Sequence, residues 1–371
     1  MLKQINEQID EQINDANELV LKWDLGEVQR NEKLDTLMKW ETQLEREEFQ
    51  TILRICNVFN YYSEKLTAQI FKIIFEENFS SLFIEHSKFM PLRRKDRVES
   101  AVDMFLSFTR INKIDVNRTN LNGPADFLKK YKARKEYLSK MVKENDIEDS
   151  KDNAKILNLQ NEIKDQSKNQ RLQSKIQKQI SKVQARKDKR QLRSKELVEE
   201  YHLNYYSVKN MIIIDDFIGT GTSVVKLLKE INRIIGNSEI SINIIFCVIE
   251  ASETGIKEIE EVAKKLGIQI QIKFYEKSTD VLAENIVFSS DNINGVKEMI
   301  KNINRKNRLK VSTYCKNHAI ASFVNAPNNN LTLLSEESSS WTALFLRTKR
   351  KVDNREVSSD ELKDTMQSLR Q

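Results

Sequence analysis

The chain has 371 residues, of which 39% are hydrophobic and 31% are charged, and its formal net charge is +6. No run of about 18 apolar residues occurs, which argues against a transmembrane helix and a membrane partner, and the first residues lack the apolar core of a signal peptide. The three cysteines and three histidines show no metal-ligand spacing. Neither a disulfide framework nor a structural zinc site is therefore expected, and the sequence predicts a cytoplasmic protein.

Residues 1–110 are predicted to form a helical N-terminal region. Apolar side chains such as Leu44, Ile52 and Ile55 recur at spacings of three and four residues, as on the buried face of helices. Residues 111–140, which include a polar turn before Pro124, are predicted to hold the start of an α/β domain.

Residues 141–205 contain no glycine or proline, which favours a long helix or a helical hairpin inserted ahead of the next strand. This insertion is basic, with twelve Lys or Arg and two acids between Lys164 and Lys195. Such a run is able to contact nucleic-acid phosphates or an anionic protein. The alternative is a solvated helix face, since no aromatic residue is interleaved. The predicted contact residues are Lys175, Lys178, Lys182 and Arg186.

Residues 206–350 alternate between apolar runs and amphipathic segments. This rhythm predicts a doubly wound parallel sheet, which binds ligands at the carboxyl ends of its strands. Residues 351–371 are predicted to form a polar tail.

A loop that follows the apolar run Met211–Ile214 is the most informative segment of the sequence. Two carboxylates, Asp215 and Asp216, end the run, and an amphipathic segment begins at Val224. Glycines allow a tight turn, and a helix N-terminus attracts anions. Carboxylates accept hydrogen bonds from ribose hydroxyls or hold Mg²⁺. The loop therefore predicts a site for a phosphorylated ribose, with these phosphate ligands: Gly219, Thr220, Gly221, Thr222 and Ser223.

Two familiar phosphate loops fit this segment less well. A Walker loop requires a lysine before its hydroxyl residue, and this loop contains none. A dinucleotide-binding fingerprint requires a third glycine, and its acidic residue follows the glycines rather than preceding them.

The segment resembles the 5-phosphoribosyl-1-pyrophosphate (PRPP) motif of phosphoribosyltransferases, in which an apolar strand and two acids precede a Thr-Gly-x-Thr loop. Asp215 and Asp216 match the ribose-binding acids, and Ser223 takes the place of the final threonine. The resemblance implies a phosphoribosyltransferase-like α/β fold, a catalytic role for both acids, and binding of PRPP with Mg²⁺ that both acids hold indirectly.

Phosphoribosyltransferases usually carry a pyrophosphate loop upstream of this motif, and this sequence shows no clear one. The candidates are the turn Asn122-Gly123 and the basic residues Lys129, Lys130 and Arg134.

A second resemblance involves Asn325-Ala326-Pro327-Asn328-Asn329 and the segment from Trp341 to Arg347. These segments look like those of the phosphoribosyltransferase-like family of bacterial conflict systems, which includes retron-associated anti-phage effectors. Trp40 matches a tryptophan in that family's helical N-terminal region. Asn325, Asn328 and Asn329 are predicted to contact a base or ribose, and Arg347 a pyrophosphate. An Asx-turn around Pro327 and a structural ion pair of Arg347 are the alternatives.

Three functional hypotheses remain open from the sequence. The first is an effector enzyme, a toxin, that cleaves or transfers at ribose C1. The second is a non-catalytic nucleotide or PRPP sensor, and the third is a nucleic-acid-binding assembly subunit that acts through the basic insertion. The resemblance implies a reverse transcriptase, or another defence protein, and a reverse-transcribed DNA–RNA hybrid as partners. Oligomerisation is also left open.

Overall fold

The computed structural model describes residues 15–93, 100–165, 169–236, 238 and 240–348, so the predicted tail lies outside the described residues. Two compact units divide the chain. The first combines Met1–Ala125, Asn210–Arg233 and Ile242–Gln371, and the second combines Asp126–Lys209 and Ile234–Ser241.

Helices make up most of the described elements. Residues 15–22 are helical, and Val116–Arg118 and His202–Tyr206 form a 3₁₀ and a π turn. The other helices are α1 (Glu27–Gln43), α2 (Arg46–Asn57), α3 (Glu64–Asn78), α4 (Ser81–Glu85), α5 (Ala101–Ile111), α6 (Pro124–Asp165), α7 (Gln170–Tyr201), α8 (Thr222–Ile235), α9 (Glu253–Leu266), α10 (Ile293–Lys306) and α11 (Thr332–Ser335). The strands are β1 (Asn60–Tyr62), β2 (Ser87–Pro91), β3 (Asn210–Ile214), β4 (Phe217–Ile218), β5 (Asn243–Ser252), β6 (Ile270–Ser278) and β7 (Ile320–Ser322).

A parallel sheet organises the first unit. Strands β2, β3, β5 and β6 pair in that order, and β4 pairs with β5 beyond the end of β3. Every residue of β3 is buried, as is every residue of β5 after Asn243. Such continuous apolar burial is typical of a parallel strand covered on both faces. The predicted α/β class with a parallel sheet is confirmed.

The N-terminal region is not purely helical, because it also contains β1 and β2. Strand β2 pairs with β3 in the main sheet, while β1 pairs with β7 in a separate two-stranded sheet. Both strands are short and show little alternation of apolar and polar side chains. Their pairing therefore depends on distant partners rather than on local sequence. Strand β7 is also short, with three residues.

An aromatic stack in the first unit joins a helix of the N-terminal region to the C-terminal segment. Trp40 stacks on Trp341 with ring centroids 4.8 Å apart, and its indole N–H donates to the Thr342 carbonyl at 2.9 Å. Phe345 stacks on Phe59 at 4.7 Å. The matched tryptophan therefore belongs to the core, and the segment up to Arg347 is held in place by this packing.

The second unit contains the predicted insertion as a hairpin of α6 and α7. Its helices begin at Pro124 and end at Tyr201, so the first helix starts earlier than the predicted boundary at residue 141. Arg190 of α7 pairs with Asp149 and Asp152 of α6, and the Asn145 amide donates to Ser194 at 2.5 Å. Among the described residues, no helix is both long and apolar enough to cross a membrane.

Candidate functional site

Asp215 and Asp216 lie between strands β3 and β4, which both pair with β5 in the same register. Ile214 of β3 pairs with Cys247, and Phe217 of β4 pairs with Glu250, both on β5. Between them the Asp215 N–H donates to the Cys247 carbonyl at 3.1 Å, and the Asp216 carbonyl accepts from Ile249 at 2.9 Å. The backbone of both acids is therefore held against the central strand, at the sheet edge where β3 ends.

The electrostatic surroundings of Asp216 disfavour its charged form. Burial raises the pKa of this carboxyl group, while hydrogen bonds from the Ser100 hydroxyl and the Phe217 N–H act in the opposite direction. The Phe217 N–H donates to Asp216 Oδ1 at 2.8 Å. A ligand that brings a metal ion or hydroxyl groups here would favour the carboxylate.

The glycine loop leaves no room for a side chain at two positions, and at one of them the backbone is also left-handed. Gly221 has φ +71°, and a Cβ there would lie 2.8 Å from the Gly255 carbonyl oxygen. A Cβ on Gly219 would lie 2.5 Å from Nδ2 of Asn329. The loop is therefore packed too closely for larger residues.

Ser252, at the end of β5, supports this loop from the neighbouring strand. Its hydroxyl donates to the Gly219 carbonyl and accepts from the Gly255 N–H at 2.9 Å, which caps α9. Sequence reasoning missed Ser252 and Gly255. The available signal was the N-cap serine before α9.

Helix α8 begins at Thr222, so the last two loop residues form its first turn. The Val225 N–H donates to the Gly221 carbonyl at 2.9 Å, and the hydroxyls of Thr220 and Thr222 lie 2.8 Å apart. The N–H groups of the first helical turn have no partner within the helix. Together with these hydroxyls, they form a set of donors suited to an anion.

A cleft of about 960 Å³ lies over the acids, the loop and the C-terminal segment. The structure brings all the predicted catalytic and ligand-binding residues to this one cleft. They are Asp215, Asp216, Gly219, Thr220, Gly221, Thr222, Ser223, Asn325, Asn328 and Arg347.

The asparagine segment divides into structural and exposed positions. Asn325 Oδ1 accepts from the Ala326 and Thr348 N–H groups, at 2.9 and 3.0 Å, and Nδ2 donates to the Thr348 carbonyl. Asn330 pairs through its amide with the backbone of Ile320. Asn325 thus holds the backbone of Thr348, whereas Asn328 is exposed at the cleft.

Among the residues that the structure describes, three cations line the cleft. The Arg347 guanidinium pairs with Glu336 at 3.3 Å. This is the structural ion pair that was the alternative to a pyrophosphate contact. Lys226 of α8 and Lys310 after α10 were missed by sequence reasoning. Both are exposed, and neither forms an ion pair within the described part of the chain. They add positive charge where an anionic ligand would sit.

The pyrophosphate-loop candidates do not line this cleft. Gly123 has φ +85° in the turn before α6, where a Cβ would lie 2.9 Å from the Arg93 carbonyl oxygen. Lys130 pairs with Asp126 and Arg134 with Glu200, all within the second unit. Lys129, on the same helix, does not line the cleft either.

The predicted nucleic-acid contacts lie on α7 of the second unit. Lys175, Lys178 and Lys182 are exposed. Arg186 differs because it pairs with Asp152, whose side chain is 1% exposed. The Arg186 side chain is 61% exposed, so it helps to join the two helices of the hairpin while remaining partly at the surface.

One comparison with known proteins identifies a relationship. A model of the family described as PRTase-CE matches residues 37–347, which is most of the chain and includes the acids, the loop and the C-terminal segment. No curated protein and no solved structure matches the chain.

Proposed function

We propose that this chain, which belongs to the phosphoribosyltransferase-like PRTase-CE family, binds PRPP or another phosphorylated ribose in the cleft at the end of β3. The observation that carries this proposal is the convergence of two acids, a glycine loop and a helix N-terminus on one cleft. The loop donors suit a terminal phosphate, and the acids suit the ribose hydroxyls.

The donor set of this cleft also fits Mg²⁺. Asp215 and Asp216 supply carboxylate oxygens at this cleft, whereas Glu336 is paired with Arg347. Mg²⁺ is commonly held by one or two carboxylates together with substrate phosphates and water. A bound Mg²⁺ would neutralise charge on a pyrophosphate group.

This arrangement of charges supports the proposal of a reaction at ribose C1. The bond from C1 to the pyrophosphate oxygen would break, pyrophosphate would leave with the electron pair, and water or an acceptor base would form the new bond to C1 and release its proton to solvent. The ribose would pass through a state with positive charge at C1, which nearby carboxylates stabilise. Lys226, Lys310 and Arg347 would stabilise the anionic leaving group.

The biological setting that we propose is anti-phage defence, with this chain as the retron effector. In that setting a reverse transcriptase and its DNA–RNA hybrid would control access to the cleft. A sensor that binds the same ligand without turnover is distinguished by the absence of released pyrophosphate.

Calorimetric titration with PRPP and Mg²⁺ tests the proposal, and we expect saturable binding to the native chain. Thr222→Val keeps the side-chain shape but removes a hydroxyl from the loop. Because hydrogen bonds to charged groups contribute about 1.5–3 kcal/mol, Thr222→Val should weaken binding about tenfold to a hundredfold. Thr254→Val, at an exposed position on α9, is the matched control and should leave binding unchanged. Equal affinities for all three chains would place the ligand outside the loop.

A second candidate function, nucleic-acid binding, is favoured by the exposed face of α7. Six cations follow one helical stripe at spacings of three, four and seven residues: Arg171, Lys175, Lys178, Lys182, Lys189 and Arg193. All six are exposed, and the stripe spans about 33 Å at 1.5 Å per residue. This length approaches one turn of a duplex.

Neutralising part of this stripe should weaken binding of a DNA–RNA hybrid. Lys175→Gln/Lys178→Gln/Lys182→Gln is expected to lower the slope of log affinity against log salt by about 2 to 3, because each lost phosphate contact contributes about 0.9. The control Lys257→Gln/Lys264→Gln/Lys265→Gln removes equal charge from α9. Fluorescence anisotropy across a salt series measures the slope for both variants. Identical slopes would show that the stripe does not contact the hybrid and is only a solvated helix face.

A further inference from the structure

The amide of Asn329 occupies the space next to the Gly219 turn where a side chain would otherwise project. Asn329 is 1% exposed, and an ideal Gly219 Cβ would lie 2.5 Å from its Nδ2 and 2.8 Å from its Cγ. The Gly219 carbonyl is held from another direction by the Ser252 hydroxyl. The turn is therefore supported by two side chains outside the loop.

Asn329 is held in turn by His318 and its neighbours. Asn329 Nδ2 lies 2.8 Å from His318 Nδ1, and the Asn329 carbonyl accepts from the Lys316 and His318 N–H groups at 2.8 and 3.2 Å. Asn329 Oδ1 is buried and has no hydrogen-bond partner among the described residues. Its position therefore depends on Nδ2 and on the backbone.

His318 is suited to accept this hydrogen bond. It is 3% exposed, and burial, with a smaller effect from Lys316, lowers its pKa to about 4. At neutral pH its ring is uncharged, so Nδ1 presents a lone pair to the Asn329 amide when the proton is on Nε2. The Ser278 hydroxyl lies 2.5 Å from the same nitrogen and restricts the orientation of the ring.

The register of the sheet explains why two serines act on one turn. Ser252 ends β5, Ser278 ends β6, and these two residues are direct cross-strand partners. Ser252 contacts the turn directly, whereas Ser278 reaches it through His318 and Asn329. The ends of two adjacent strands thus support Gly219 from two directions.

We propose that Ser278, His318 and Asn329 are positioning residues that hold the Gly219 turn in the shape required to bind a phosphate group. This inference rests on the proposed function for the identity of the ligand. The support of the turn itself does not depend on any ligand. An experiment can therefore contradict the identity of the ligand without contradicting the support of the Gly219 turn, and the reverse.

The test compares His318→Leu with His318→Asn, since an asparagine oxygen lies near the place of Nδ1 and accepts the same hydrogen bond. Loss of one hydrogen bond corresponds to about a five- to tenfold change. We expect His318→Leu to speed hydrogen exchange of the loop amides in the ligand-free chain by this factor or more, and to weaken binding of ribose 5-phosphate similarly. His318→Asn should restore both. In the native chain, ¹⁵N NMR should show the His318 proton on Nε2.

Several outcomes separate the possibilities. Equal effects of both variants, with faster exchange throughout β3 and β5, would indicate a general structural role and overturn the proposal. Unchanged loop exchange in His318→Leu would also overturn it. Selective loosening of the loop without ribose 5-phosphate binding to the native chain would support the positioning role and contradict the proposed function. If His318→Leu does not fold, Ser278→Ala replaces it, with a smaller increase in loop exchange expected and an unchanged loop counting against the proposal.

Discussion

Asp215→Asn/Asp216→Asn is expected to abolish detectable binding of PRPP with Mg²⁺. Each substitution removes a charged acceptor from the cleft floor, and hydrogen bonds to charged groups contribute about 1.5–3 kcal/mol each. The combined loss therefore amounts to about a hundredfold to ten-thousandfold in affinity. Calorimetric titration of the variant beside the native chain measures this loss.

The control for this prediction is the stability of Asp216→Asn in the absence of ligand. Burial raises the pKa of Asp216 above its value in the unfolded chain. The favourable contribution of this carboxyl group to the free energy of unfolding is therefore fully present below the unfolded pKa and is lost as pH rises through the folded pKa. Asp216→Asn should therefore have a higher Tm than the native chain at pH 7, and the difference should shrink towards pH 4. A folded, stabilised variant that fails to bind would separate loss of the site from loss of the fold.

Retention of native affinity in the double variant would exclude the acids from the ligand site. The phosphate loop would then have to be tested alone, with inorganic phosphate as the probe.

Gly219→Ala is expected to produce the second large effect. The added Cβ would lie 2.5 Å from Asn329 Nδ2 and 2.8 Å from its Cγ, so either the loop or the asparagine must move. Overpacking of this kind typically costs about 1–3 kcal/mol of stability. The displaced turn should reduce ribose 5-phosphate affinity about a hundredfold, because a few tenths of an ångström already disturb preorganised donors.

Gly295→Ala is the matched control for this substitution. Gly295 lies near the start of α10, and a Cβ there would meet nothing within 4 Å. Replacing this helical glycine should stabilise the chain by about 0.5–1 kcal/mol and leave binding unchanged. Thermal unfolding and calorimetry of both variants test the pair. If Gly219→Ala bound ribose 5-phosphate as tightly as the native chain, the prediction would be wrong, because the turn would tolerate displacement.

The loop and its surroundings could be predicted because their signals are local. The apolar run before Asp215, the glycines and the amphipathic segment after Ser223 follow each other within the reach of one strand-loop-helix unit. Helix α9 was similarly predictable, since Gly267 ends it with φ +66°. The short strands β1 and β2 were not, because each pairs with a strand that lies far away in the chain.

The roles of the asparagines show the limit of local patterns. Asn325 and Asn328 were both predicted as ligand contacts, yet Asn325 is hydrogen bonded to Ala326 and Thr348. Asn329 was included in the same prediction, yet it is buried and its side chain packs against Gly219. An amide forms similar hydrogen bonds with a ligand, a turn or a distant side chain, so its neighbours decide its role.

The sequence by itself determined the chemistry offered to a ligand: two acids, a glycine loop and a helix start in a fixed order, on a chain of the phosphoribosyltransferase-like class. Only the tertiary structure decided which residues support that loop. Ser252, Ser278, His318 and Asn329 are separated along the chain, and they meet because the strand register and the packing around His318 bring them together. The physical reason is that backbone conformation follows from adjacent residues, whereas a buried polar group acquires its partner only when the whole sheet has formed.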